Sequence, residues 1–136
     1  MREEVEQLKE HLAPVLDLRG AAAVLSWDQQ VNMPEKGTNA RSNQLSTLSS
    51  MAHELFTSDE TAKRLEAAEE EVADMDYDSD EASLVRVTRR LFDRRTKIPT
   101  ELVKRESEAS SRGFVAWRKA RETDDFSTFE PLLKEL

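Results

Sequence analysis

The chain has 136 residues, the length of one domain or of a piece of a larger protein. Its 20 Lys and Arg residues against 28 Asp and Glu residues give a net charge of −8, which disfavours nonspecific binding to nucleic acids and to anionic membrane surfaces. The absence of cysteine excludes disulfides and thiolate zinc sites. Uncharged runs such as Gly20 to Trp27 fall well short of the ~20 apolar residues of a membrane helix, and no signal-like segment follows Met1, so we expect a cytoplasmic protein.

Glycine and proline are scarce, and the apolar content is low. The chain contains three glycines and four prolines, whereas strands and tight turns usually demand more. Apolar residues make up 38%, below the ~45–50% of ordinary globular domains. Both facts predict long helices with thin apolar stripes.

The first helix is predicted from the spacing of Val5, Leu8 and Leu12. Pro14 interrupts this pattern, so we expect either a kink or a new helix with Pro14 in its first turn. From Val15 to Val31, apolar and small residues then occupy nearly every side of the predicted helix. Such a segment is expected to be enclosed mostly by other helices.

Two further helices are predicted between Asn39 and the acidic segment 74–80. The first runs from Asn39 to Phe56, with Thr38 or Asn39 as its cap and a stripe formed by Leu45, Leu48, Ala52 and Leu55. The second is opened by a capping box from Thr57 to Glu60. Its apolar face comprises Ala62, Leu65, Ala68 and Val72.

Three helical segments are predicted beyond the acidic link. The helix from about Asp80 to Lys97 has its apolar line at Leu84, Val87 or Thr88, and Leu91, with Phe92 beside it. The helix from Pro99 to about Glu122 has small residues that permit close packing, with Trp117 beside them: Ala109, Gly113, Ala116 and Ala120. After a turn at 123–125, the stripe of Phe126, Phe129, Leu133 and Leu136 is still running where the chain stops, so we expect more protein to follow. The whole pattern predicts an all-α fold of successive antiparallel helical hairpins.

The segment His53-Glu54-Leu55-Phe56-Thr57 begins like the zinc-peptidase signature His-Glu-x-x-His. That signature requires a second histidine one helical turn later, so that two imidazoles face one metal ion. Thr57 stands at that position, and His11 is the only other histidine. We therefore interpret His53 as a residue on the flank of an amphipathic helix and expect no metal ligand here.

Asp74, Asp76, Asp78 and Asp80 alternate like the start of a calcium loop. Such a loop requires Gly at its sixth position and Glu at its twelfth. Neither the register from Asp74 nor that from Asp76 supplies them. A solvated linker in which Asp78 or Ser79 caps the next helix is the better interpretation.

Six positive charges fall within twelve residues: Arg86, Arg89, Arg90, Arg94, Arg95 and Lys97. Such a cluster could bind phosphate groups. Asp93 interrupts it and the acidic link lies just upstream, so a solvated or ion-paired helix face is the preferred interpretation, with ligand or partner binding as the alternative. No nucleophile–base pair and no Gly-rich phosphate loop is visible, and no catalytic residue is assigned.

Several blocks resemble, in register, the opening of the carboxypeptidase Taq family of metallocarboxypeptidases. The most specific is Leu25-Ser26-Trp27-Asp28-Gln29 followed by Met33-Pro34. The softer ones are Ala40-Arg41 with Gln44-Leu45, 51–55, 96–103, and 116–121 with 125–129.

The resemblance implies the N-terminal part of a larger, mostly helical zinc peptidase. Family members remove C-terminal residues from peptides with broad specificity, use a divalent metal, usually zinc, on a His-Glu-x-x-His helix plus a later Glu, and are commonly homodimers. Because that motif lies downstream of the matched region, residues 1–136 are expected to form a helical segment truncated before the catalytic zinc motif. The segment would help to wall the substrate groove, with no catalytic residue, no metal ligand and no cofactor of its own.

The polar cluster after Trp27 is interpreted as a structural hairpin. Antiparallel packing across the connection at Pro34 and Gly37 would bring Asp28 close to Arg41. We expect Asp28, helped by Gln29 or Gln44, to pin the hairpin, while Trp27 fills the space between helices. Direct substrate contact is the alternative role.

Two other functions stay open on the residues alone. A free-standing helical module could recruit a partner protein through its apolar stripes, and a nucleic-acid binder could use the arginine helix. The enzyme-fragment interpretation predicts peptide substrates and neither a nucleic-acid nor a membrane partner.

Overall fold

A computed structural model describes residues 3–136. Within that range the α-helices are α1 (Glu3–Val31), α2 (Thr38–Phe56), α3 (Asp59–Val72), α4 (Asp80–Arg95), α5 (Thr100–Thr123) and α6 (Glu130–Glu135). Short 3-10 turns at Glu35–Gly37 and Phe126–Thr128 precede α2 and α6. No strand occurs among these residues, so the all-α prediction is confirmed.

The chain divides into two compact units. The first contains residues up to Leu18 together with Met51–Pro99, and the second contains Arg19–Ser50 together with Thr100–Leu136. Helices α1 and α2 therefore contribute residues to both units.

The first unit has a continuous apolar core. Its contributors from α1, α2, α3 and α4 are Val5, Leu8, Val15, Ala52, Phe56, Leu65, Ala68, Val85 and Phe92. Burial of such side chains is the main force that holds these helices together. The predicted apolar positions of the first and third helices are thereby confirmed, with Leu12, Ala62 and Val72 packed partly buried against the core.

Polar contacts at the edge of this core show how the helices run. As the residue numbers rise along α1, those of the partners on α3 fall. The Val5 amide donates to Glu71, Gln7 accepts from Arg64, and His11 bonds Thr61. These helices are therefore antiparallel. Phe56 of α2 meets Phe92 of α4 edge-on at 6.2 Å, a geometry that aromatic rings favour.

The second unit packs through small and polar side chains. Ala109, Gly113 and Ala120 of α5 are buried, as predicted for close helix approach. Trp117 instead is 45% exposed and stacks beside Phe114 at 6.1 Å. The unit also buries a set of hydrogen-bonding side chains: Gln29, Ser42, Ser46 and Ser111.

Two of the predicted helix caps are wrong. The N-cap of α3 is Ser58, whose hydroxyl accepts from the Thr61 amide; the Thr57 hydroxyl instead donates to the His53 carbonyl and so closes α2. The Thr38 hydroxyl donates to the Glu35 carbonyl rather than capping α2. The cap at Ser79 is confirmed, because its hydroxyl accepts from the Ala82 amide.

Helix α1 continues through Pro14, which excludes one of the two predicted alternatives, a new helix that begins there. The segment Val15 to Val31 is not enclosed, since Leu16, Val24 and Val31 are at least 60% exposed. The final stripe is broken into a 3-10 turn and the short α6, because Asp125 caps the turn: its carboxylate accepts from the Ser127 amide and hydroxyl, bonds that lower the pKa of Asp125.

The buried face of helix α4 overlaps the predicted one only at Thr88 and Phe92. Its buried residues are Ala82, Val85, Thr88 and Phe92. Val87 is 54% exposed, and Leu84 and Leu91 are also open to solvent. Separately, none of the helices within 3–136 has the combination of length and apolar character needed to span a bilayer.

Candidate functional site

The connection between α1 and α2 is a short, hydrogen-bonded turn. The Asp28 carbonyl accepts from the amides of Asn32 and Met33, both at 2.9 Å, which closes the last turn of α1. A 3-10 turn at Glu35–Gly37 then leads directly into α2. Gly37 packs closely on Met33, because a Cβ there would lie 3.2 Å from the Met33 Cγ. The turn therefore folds the chain back so that the start of α2 lies beside the end of α1.

Arg41 holds this hairpin through three acceptors. Its Nη2 donates to Asp28 Oδ2 at 2.7 Å, its Nη1 to the Leu25 carbonyl at 2.6 Å, and its Nε to Gln44 Oε1 at 3.1 Å. The Arg41 side chain is only 14% exposed and that of Asp28 31%. Asp28 lies near the negative end of the α1 dipole, so the guanidinium offsets an otherwise unfavourable carboxylate. The structure thus brings Asp28 and Arg41 together as the sequence predicts; their stabilising role stays a prediction.

The two glutamines and Trp27 behave differently. Gln44 supports Arg41, whereas Gln29 takes no part in the Asp28–Arg41 contact and is buried with an unpartnered side-chain nitrogen. Trp27 does not fill the space between these helices, because 59% of its surface is exposed. The reason is its position on the side of α1 that faces away from the α1–α2 contact.

Gln29 lines a polar cleft of about 240 Å³. The cleft lies within the second unit, between the end of α1, α2 and α5. Leu45 and Phe114 give it an apolar patch, and the hydrogen-bonding side chains along its walls are Ser26, Gln29, Gln30, Ser49, Ser107, Ser110 and Ser111. The cleft wall thus offers several hydroxyl and amide groups as hydrogen-bond donors and acceptors.

Sequence reasoning did not find this cleft. The spacing of Ser107, Ser110 and Ser111 at i, i+3 and i+4 places the three hydroxyls on one face of α5. The same helix carries the small residues that the sequence predicts as packing positions.

Replacing Gln29 with methionine, a side chain of similar length, tests how the buried amide is used. Since the Gln29 amide nitrogen has no partner among the described residues, the change is expected to raise the free energy of unfolding by up to about 1 kcal/mol. Urea denaturation followed by circular dichroism measures this. The control Gln30→Met, on an exposed neighbour, should stay within about 0.5 kcal/mol. A loss of 1 kcal/mol or more for Gln29→Met would show that the amide makes a stabilising bond.

The histidines serve the core of the first unit. His53 is buried and its Nε2 lies 3.1 Å from the Arg95 carbonyl oxygen, while His11 Nε2 lies 2.8 Å from the Thr61 hydroxyl. Within residues 3–136 no three His, Asp or Glu side chains are grouped so that they could hold a metal ion. In the acidic link, Asp76 accepts from the Asp78 amide, a contact typical of a turn.

The arginine-rich helix is partly ion-paired. Arg89 donates two bonds to Glu69, at 2.7 and 2.8 Å, and these bonds raise the pKa of Arg89. Arg86 lies 3.8 Å over the ring of Tyr77 and donates to its carbonyl. Arg94, Arg95 and Lys97 are exposed. The first two arginines are thus occupied by intramolecular contacts.

Comparison with known families shows what this helical hairpin belongs to. The sequence model of the carboxypeptidase Taq (M32) metallopeptidases matches residues 7–136. The chain belongs to this family. The family resemblance seen in the Trp-Asp-Gln block and in the blocks after it is therefore confirmed.

The M32 relatives are longer than this chain. The chain is 33% identical over 134 residues to thermostable carboxypeptidase 1 of Pyrococcus furiosus, which covers 98% of this chain and 26% of that protein. It is 32% identical over 119 residues to thermostable carboxypeptidase 1 of Thermus thermophilus, and this match covers 88% of this chain and 23% of that protein. The chain thus spans about a quarter of the length of the curated relatives that it matches.

Solved structures place the same helices in M32 folds. The structure of the Pyrococcus furiosus carboxypeptidase aligns with a TM-score of 0.73 at 32% identity, over 98% of this chain and 26% of that one. The crystal structure of BsuCP aligns with a TM-score of 0.88 over 96% of this chain and 26% of that one; at 24% identity it shows the fold alone. The chain is therefore the N-terminal helical part of the M32 fold.

Proposed function

We propose that this chain is the N-terminal helical part of a metal-dependent carboxypeptidase that releases C-terminal amino acids from peptides with broad specificity. The observation that supports this is the match of residues 7–136 to the M32 metallopeptidases. Its role is to help form the substrate-groove wall and the scaffold, while the catalytic groups lie elsewhere in the longer protein.

The polar cleft of the second unit is the part of the proposed groove wall that this chain supplies. A peptide backbone presents alternating amide donors and carbonyl acceptors, and serine and glutamine side chains can pair with both. Ser26 and Gln30 of α1 line this cleft together with Ser107 and Ser110 of α5. The patch at Leu45 and Phe114 would contact an apolar peptide side chain.

The metal that the family implies does not fit the residues of this chain. Zinc is the metal we propose for the full-length enzyme, and a zinc site needs three or four nitrogen or carboxylate ligands when cysteine is absent. The His and acidic side chains in the described range are not grouped in this way. The metal ligands must therefore come from the remainder of the longer protein.

The remaining expectations concern location and assembly. We propose a cytoplasmic homodimer that acts on peptides and takes no nucleic-acid or membrane partner. The net charge of −8 supports the last two points, since nucleic acids and anionic lipids would repel it. Light scattering of a protein in which residues 1–136 replace the matching quarter of the Pyrococcus furiosus enzyme would measure the dimer.

The function is tested by joining this chain to a metallocarboxypeptidase that lacks its own N-terminal part. Residues 1–136 replace the matching quarter of the Pyrococcus furiosus enzyme. We expect the joined protein to release the C-terminal residue of an N-blocked dipeptide, to lose activity when a chelator removes the metal, and to regain it with zinc. The host without its first quarter, and this chain alone, should both be inactive.

A Ser110→Leu variant of the joined protein adds the groove to the same experiment. The larger side chain narrows the cleft, so KM is expected to rise at least threefold with little change in kcat. Its control is Ser83→Leu, at a half-buried position of α4 in the first unit, away from the cleft. If the joined protein is active and Ser110→Leu leaves its KM unchanged, the family function stands and the proposed role of the cleft in the substrate groove is contradicted. A folded joined protein without any peptidase activity would contradict the proposed function itself.

A further inference from the structure

One side of α1 in the second unit is an uncharged apolar surface open to solvent. At 100° per residue, five residues share an arc of roughly 100°. We call them the α1 outer face: Gly20, Ala23, Val24, Trp27 and Val31. Val24, Trp27 and Val31 are 63%, 59% and 60% exposed. Arg19 and Asp28 lie just beyond the two edges of the arc, so an apolar centre has a charged rim.

Exposed apolar side chains that are scattered singly are normal, but a contiguous set that includes a tryptophan is typical of a contact surface. A polar rim around an apolar centre is the arrangement found in protein interfaces. Gln29, which lines the polar cleft, lies on the opposite side of α1, whereas Gln30, another residue of the cleft wall, lies beside the edge of the outer face. The side of α1 around Gln29 is therefore covered by the described residues, whereas Val24, Trp27 and Val31 stay about 60% exposed among them.

Gly20 gives a second indication. A glycine inside a helix costs about 1 kcal/mol relative to alanine. A Cβ at Gly20 would meet no atom within 4 Å, so nothing in the described chain requires its small size. A helix or loop that approaches this face closely from outside the chain would explain why no side chain is present.

We infer that the α1 outer face is the surface through which this segment packs on the rest of the metallocarboxypeptidase polypeptide. The inference rests on the proposed function. The Pyrococcus furiosus relative matches 98% of this chain with only 26% of its own length, so about three quarters of its polypeptide has no counterpart here. That much protein is expected to cover apolar surface of its N-terminal quarter, and the α1 outer face is an uncharged apolar surface of the second unit that is open to it. Trp27 would then fill a space between helices as expected from the sequence, against a helix that this chain does not contain.

Thiol accessibility tests the inference, because the chain has no cysteine of its own. Val24→Cys places one thiol on the α1 outer face, and Lys36→Cys places a control thiol at an exposed position of the α1–α2 turn. Each variant is labelled with iodoacetamide, and the modified peptide is quantified by mass spectrometry. The measurement is made in this chain alone and in the joined protein with the Pyrococcus furiosus host.

We expect the Val24→Cys thiol to be labelled at least tenfold more slowly in the joined protein than in the chain alone, with the Lys36→Cys thiol unchanged. Equal rates in the two proteins would overturn the inference. Protection of the thiol in the chain alone that disappears on dilution would also overturn it, because a second copy would then cover the face. Protection that appears only when peptide is added would overturn it as well, because substrate would then cover the face. If the junction prevents folding, the two polypeptides are mixed instead, and failure to form a complex also overturns it.

Peptidase activity separates the two proposals. An active joined protein with an accessible Val24→Cys thiol would contradict the packing surface and leave the proposed function standing. A protected thiol in an inactive protein would count against the function alone.

Discussion

Leu65→Ala is expected to lower the free energy of unfolding by about 2–5 kcal/mol, a cost typical of emptying a large buried side chain. Leu65 has no exposed surface and lies at the centre of the first unit, among residues of α1, α2 and α4. The substitution removes apolar burial and leaves a cavity that the neighbouring helices close only partly. Urea denaturation of the 136-residue chain, followed by circular dichroism at 222 nm, measures the change.

Leu91→Ala is the matched control for Leu65→Ala. It removes the same atoms from a helix interior, so the change in helix propensity is the same. Because Leu91 is 40% exposed, we expect a loss below about 1 kcal/mol. A loss at Leu91 equal to that at Leu65 would mean that α4 packs through the face predicted from the sequence rather than through Val85 and Phe92.

Helix α4 shows why the sequence predicted the helices better than their buried faces. Its residues offer two apolar stripes, one through Leu84 and Leu91 and the other through Val85 and Phe92. Periodicity detects both but does not choose between them. Tertiary contacts choose the second, because Phe92 meets Phe56 and Arg89 on the same side pairs with Glu69.

The cap of α3 shows the same limit at short range. Thr57 has Glu60 three residues later, the spacing of a capping box, whereas Ser58 has Thr61 there, so the pattern alone favours Thr57. Ser58 is chosen because the Thr57 amide and hydroxyl are already used by the His53 carbonyl at the end of α2. The bonds of the preceding helix are not visible in a capping pattern.

The α1–α2 hairpin was the most predictable part of the candidate site. Residues 28 and 41 are separated by one short turn, so antiparallel packing alone places them together. The polar cleft needs α5, which is separated from α2 in sequence by α3 and α4, and no local pattern gives that contact. Trp27 was misplaced for a related reason: a large apolar side chain indicates a covered position but not which polypeptide covers it.

Arg41→Ala is expected to lower the free energy of unfolding by about 2–3 kcal/mol, the range for hydrogen bonds of a charged group that is largely shielded from water. The variant loses the bonds to Asp28, the Leu25 carbonyl and Gln44, and leaves a carboxylate near the negative end of α1 without its cation. Asp28→Ala should cost less, because Arg41 keeps two of its three acceptors. Both are measured by urea denaturation of the chain.

Arg112→Ala supplies the control, since it removes the same side chain from a helix in the same unit. Arg112 pairs with Glu135, but both side chains are over 40% exposed, and such pairs contribute under about 1 kcal/mol. Equal losses at Arg41 and Arg112 would show that shielding at the hairpin adds nothing. In the joined protein, Asp28→Ala could instead leave the melting temperature unchanged and raise KM strongly. That result would assign the Asp28–Arg41 pair to substrate binding, because the loss of a structural contact lowers the melting temperature.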